Sequence, residues 1–156
     1  MIKKGETKMD TKKLARGAAI TALYVVITYF LAPVSFGPIQ FRAAEALTVL
    51  PILFPEAIPA LFLGVLLANI IGGLGLVDIV GGSLVTLLAA YVTYKNRDNI
   101  FAYLSPILFN AFLISIYLHI LFELPYWLNV IQIGLSEAAV VLILGVPLIK
   151  YLKKHF

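Results

Sequence analysis

Cysteine is absent from the 156 residues, which excludes disulfides, thiolate metal sites and thiol nucleophiles together. Histidine occurs twice, at His119 and His155, too few for the usual zinc ligand sets. The chain has no HExxH pattern, no phosphate-cradling glycine loop and no Ser–His pairing in a triad-like context. Metallohydrolase, nucleotide-hydrolysing and serine-nucleophile chemistry therefore lack their residues. Charge is scarce too, at 13% of residues. What remains is apolar: 62% of residues are hydrophobic and the mean hydropathy is +1.00. A soluble domain of this size buries far less apolar surface than that, so lipid is the expected solvent. The expected fold class is an all-α, polytopic membrane protein.

A membrane-crossing helix needs about 20 mostly apolar residues. Charges and Gly/Pro clusters divide the apolar background into six expected spans: 14–32, 41–53, 57–71, 77–94, 100–121 and 128–151. The second is too short to cross a flat bilayer at about 1.5 Å per residue; it must tilt, sit among protein or lie where the membrane is thin. A basic start before an apolar run also opens signal peptides. Here the run from Gly17 to Phe30 passes into Leu31–Ala32–Pro33 without a small-x-small cleavage site, and it reads as the first span. Residues 1–10 form a polar, cytoplasmic tail, and one transmembrane domain covers 11–156.

Six crossings place both termini on one side. Six Lys/Arg residues lie before the first span's centre, two in Lys95–Asn96–Arg97 and three at the carboxyl end, leaving Arg42 alone on the far side. Basic residues favour the cytoplasmic face, so both termini are expected in the cytoplasm of a multi-pass plasma-membrane protein. The basic clusters reflect topology rather than nucleic-acid binding.

A charged side chain near the bilayer centre costs about 2.5–3.5 kcal/mol on insertion scales and is a functional candidate by default. Arg42, Glu45, Asn69, Asp78, Glu123 and Trp127 are expected near the outer mouth. Asn129, Gln132 and Ser136 recur at spacings of three and four on the last span, with Glu137 about 100° further round by the 3.6-residue period. Structural roles compete. Arg42 and Glu45, three apart, could pair; Asp78 could cap a helix; Tyr126 and Trp127 could anchor at the interface. Glu56 reads as a helix-start carboxylate, and Tyr117 and His119 as packing residues. Carboxylates, amides and aromatic rings together would suit a flat heterocycle rich in N–H donors. On the first span, Ala15, Ala18, Ala19 and Ala22, with Gly17 among them, form overlapping small-xxx-small pairs. Such pairs let a second helix approach closely, from within the chain or from a partner.

The segments Gln40–Phe41–Arg42–Ala43–Ala44–Glu45–Ala46–Leu47–Thr48, Pro55–Glu56–Ala57–Ile58, Leu67–Ala68–Asn69–Ile70–Ile71–Gly72–Gly73–Leu74–Gly75–Leu76–Val77–Asp78–Ile79 and Gly82–Ser83–Leu84–Val85–Thr86–Leu87 resemble the queuosine-precursor transporter family. That resemblance implies a substrate-binding S component of an energy-coupling factor (ECF) transporter, a branch of the ABC importers. It implies as partners a transmembrane coupling protein and two cytoplasmic ATPases, docked through an Ala-x-x-x-Ala pattern on the first helix. Ala15/Ala19 and Ala18/Ala22 both fit that pattern. The implied ligand is a 7-deazaguanine such as 7-aminomethyl-7-deazaguanine or queuine, and no cofactor is implied. Three alternatives stay open: an S component for another vitamin, a membrane scaffold or small channel, and an intramembrane transferase built on Glu137, His119 and Asp78.

Overall fold

The computed structural model of the chain describes residues 10–36 and 40–156. Most of the expected polar tail therefore lies outside the described residues, as do residues 37–39 of the loop after the first span. The described residues form helices and no strand. Helix α1 (Thr11–Phe30) is capped by Asp10, whose side chain accepts from the Lys12 N–H at 3.1 Å. Pro33 sits in the first turn of a four-residue helix α2 (Ala32–Ser35), where its missing N–H leaves no bond unmade.

The segment expected as a short second span is a 3₁₀ helix, Ala43–Ile52. Such helices rise about 2.0 Å per residue against 1.5 Å in an α-helix, so ten residues reach further than their number suggests. Pro51 lies inside it and has no N–H to give an α-helical turn. Thr48 Oγ1 donates to the Glu45 carbonyl at 2.6 Å. Every residue from Ala44 to Ile52 is buried, because this helix runs up the centre of the molecule and touches all five long helices. It occupies the protein-lined position that its length required.

Around it stand α1, α3 (Ala57–Ile71), α4 (Ser83–Lys95), α5 (Phe101–Phe122) and α6 (Tyr126–His155). A π turn, Asp78–Gly82, leads into α4, and further π turns interrupt α5 at Asn110–Ile114 and α6 at Val141–Gly145. Pro106 deprives the Ala102 carbonyl of its helical donor. The buried Thr93 hydroxyl takes its place at 3.1 Å and ties α4 to α5.

Among the described residues, α1, α5 and α6 are by length and composition the three helices able to cross a membrane, with Ala43–Ile52 and α3 as shorter apolar helices. The surface is the most apolar part: Phe30, Leu76, Ile120, Trp127, Leu135 and Ile143 are each more than 65% exposed. Water would not tolerate so large an apolar surface. The interior instead collects small and hydroxylated residues, among them Ala44, Ala57, Ala89, Ala102, Thr48 and Thr93. In lipid, helices gain by close backbone approach rather than by escaping water. Two glycines show how close. A Cβ on Gly64 of α3 would lie 2.9 Å from Cβ of Tyr24 on α1, and one on Gly145 of α6 would lie 3.2 Å from the Val49 side chain of the central helix.

At one end Arg16 pairs with Glu56 and lies over the Phe54 ring, 4.3 Å from its centroid, while Phe54 meets Phe156 edge to face. Glu56 is thus a structural carboxylate beside the start of α3, as its sequence position suggested.

Candidate functional site

Polar side chains converge in the half of the bundle away from that basic end. A three-residue turn places residues i and i+3 of a 3₁₀ helix above one another. Arg42, just before the first turn, and Glu45, within it, therefore face the same way. Both line a small cavity with Gln40, Asn69, Asp78, Thr86, Asn110, Tyr117, Ser136 and Glu137. Its free space is about 30 Å³, room for a water or two.

Hydrogen bonds order most of this lining. Glu45 is 4% exposed; its Oε1 accepts from the Tyr24 hydroxyl, and its Oε2 from Asn110 Nδ2 at 3.4 Å. Arg42 does not form an ion pair with Glu45. Its Nη1 donates to Asn69 Oδ1 at 3.1 Å, and its guanidinium lies over the Phe36 ring. Asn69 Nδ2 in turn donates to the Asp78 carbonyl at 2.9 Å, which joins the end of α3 to the π turn before α4. The Asp78 side chain caps no helix; Oδ1 accepts from the Tyr117 hydroxyl at 3.1 Å. Glu137 Oε2 and Asn110 Oδ1 are buried without any partner.

Three carboxyl groups, of Glu45, Asp78 and Glu137, thus face one guanidinium around a small cavity. Burying acidic groups is costly unless donors meet them, and the protein leaves some acceptors unmet. Such a lining is prepared for a ligand that brings N–H donors.

Five candidates from the sequence, Arg42, Glu45, Asn69, Asp78 and Glu137, come together here. Four others lie elsewhere. Glu123 is exposed in a left-handed turn after α5 (φ 55°), Trp127 is 69% exposed and packs edge to face on Tyr126, and Gln132 is exposed. Asn129 is half-buried, and its Nδ2 has no partner. The inward face of α6 is Ile133–Ser136–Glu137, not the Asn129–Gln132–Ser136 face that the spacing suggested. Tyr117, expected to be a packing residue, lines the cavity. Tyr24 and Asn110 were not anticipated; a lone amide inside an apolar run was the available signal for Asn110.

A second feature lies on the other side of α1. Ala15, Ala18, Ala19 and Ala22 are all exposed. Ala18 and Ala22 line an apolar groove of about 830 Å³ between α1 and α3, with Gly17, Thr21, Ala60, Leu63 and Leu67. Ala15 and Ala19 are not part of it.

The model of the QueT transporter family matches residues 14–154, nearly the whole chain, and takes in both the polar cavity and the groove. The chain belongs to the QueT transporter family. No curated protein and no solved structure matches it. Membership makes the chain a transporter component of a membrane rather than an enzyme. A QueT transporter handles a small-molecule substrate.

Proposed function

We propose that this chain is the substrate-binding S component of an ECF-type importer. It captures a queuosine precursor of the 7-deazaguanine class, such as 7-aminomethyl-7-deazaguanine or queuine, for ATP-driven uptake. In this reading the chain traverses the plasma membrane six times, with its basic end and both termini in the cytoplasm. The cavity then lies toward the outside, where substrate arrives. The partners are a transmembrane coupling protein and two ATPases, and the chain itself has no phosphate-cradling loop with which to use ATP.

The observation that carries the reading is the cavity lining, with three carboxyl groups and three amides against one guanidinium. A 7-deazaguanine offers N–H donors along its pyrimidine edge, and the aminomethyl form adds a cationic amine. Each can meet an acidic oxygen that would otherwise be costly to bury. The groove with Ala18 and Ala22 supplies the docking face for the coupling protein, and it favours that alanine register over Ala15/Ala19.

The purified chain, in detergent and without ATP or partners, is expected to bind 7-aminomethyl-7-deazaguanine in isothermal titration calorimetry at one site per chain. Glu137→Gln is expected to weaken this binding at least about tenfold, in line with the loss of a charge-assisted hydrogen bond. Absence of a binding isotherm with every 7-deazaguanine tried would sink the ligand assignment.

A further inference from the structure

Glu137 and Asn110 both line the cavity, and each has one buried acceptor with nothing bonded to it: Glu137 Oε2 and Asn110 Oδ1. Their residues are only 9% and 3% exposed. An acceptor buried without a donor is costly and uncommon, and two around one small cavity point to a shared use.

The orientation of Asn110 is imposed from behind. A carboxylate only accepts hydrogen bonds, so the Asn110 group facing Glu45 Oε2 is its NH₂, at 3.4 Å. The other Glu45 oxygen accepts from Tyr24. With Glu45 occupied at both oxygens, the amide has one orientation, and its carbonyl is left without a partner. The π turn that opens at Asn110 sets this residue on the inner side of α5, across from Ser136 and Glu137 on α6 in the cavity wall.

We infer that Glu137 and Asn110 form an acceptor pair that reads the exocyclic amine and adjoining ring N–H of a 2-amino-4-oxopyrimidine edge. Glu45 acts on specificity as a positioning residue, through Asn110, rather than as a ligand contact. This rests on the 7-deazaguanine reading above and adds to it which part of the ligand is selected and by which atoms. A ring without the 2-amino group would leave one acceptor unpaired in a buried site. Sites built to hydrogen-bond a group reject analogues that lack it far more strongly than apolar pockets reject a missing methylene.

The test is a calorimetric comparison of two ligands, 7-aminomethyl-7-deazaguanine and its analogue lacking the 2-amino group. The unaltered chain is expected to prefer the former by on the order of a hundredfold. Asn110→Ala should weaken binding of the 2-amino ligand more than that of the analogue, so that the ratio falls to about tenfold or less. Glu137→Gln, which keeps the side-chain shape, guards against misfolding of the alanine variant and should lower the ratio as well. Glu45→Gln frees the Asn110 amide to turn over and should also lower the ratio; a merely structural role would weaken both ligands equally. Equal binding of the two ligands by the unaltered chain, or a ratio unmoved in both Asn110→Ala and Glu137→Gln, overturns the acceptor pair while leaving the 7-deazaguanine reading intact. Failure of the unaltered chain to bind either ligand overturns that reading, and this inference with it.

Discussion

Replacing Ala18 and Ala22 together by phenylalanine is expected to abolish uptake in cells that carry the chain with its partner subunits, while ligand affinity of the purified chain stays within about threefold of the parent. The two alanines are exposed, one helical turn apart, and line the apolar groove between α1 and α3. Two phenyl rings would fill the space into which a partner helix must come close. Helix α1 is tied to the cavity through Tyr24, which is completely buried and bonded to the lining residue Glu45, so the cavity should not register the change. Radiolabelled uptake in cells and calorimetry on purified protein separate the two effects. Uptake at the parental rate would show that the groove is not the docking face. Parallel loss of binding would show that α1 does not keep its two faces independent.

Gly64→Val should give the largest loss of stability of any single substitution considered, about 2–3 kcal/mol, with thermal unfolding in detergent shifted down accordingly. The new Cβ would stand 2.9 Å from Cβ of Tyr24. That atom is fixed to the α1 backbone and cannot swing aside as the far end of a side chain would. Helices α1 and α3 must part, and with them the Tyr24 hydroxyl from Glu45, so ligand binding should fall along with stability. Gly64→Ala should show a smaller effect in the same direction, about 1 kcal/mol or more. A valine variant that melts with the parent would refute the close helix contact.

Both results depend on α1, which the sequence disclosed only in part. Its apolar length and its stripe of alanines were legible, because lipid exposure and small-residue patterns are written directly in residue type. The role of Tyr24 was not, since a tyrosine in a span reads equally well as an interfacial anchor. Arg42, Glu45, Asn69, Asp78 and Glu137 were legible as candidates because polar groups inside apolar segments are expensive. Which of the polar groups on α6 faces inward was not. Asn129, Gln132 and Ser136 satisfy helical spacing as well as Ile133, Ser136 and Glu137 do, and only the packing of α6 against its neighbours decides between them. The π turns add to the difficulty, because each shifts the register of every residue beyond it, and Asn110 and Tyr117 lie in or after one. The second span shows the opposite case. Its ten residues were too few to cross as an α-helix, and the structure answers with a tighter, longer-reaching helix at the protected centre.

The cavity's 30 Å³ of free space bears on time as well as affinity. A bicyclic heterocycle cannot enter room for one or two waters until part of the wall has moved, so capture is paced by the protein's own opening once ligand is abundant. The same closure that delays entry also delays escape, which favours a long residence time over a fast encounter.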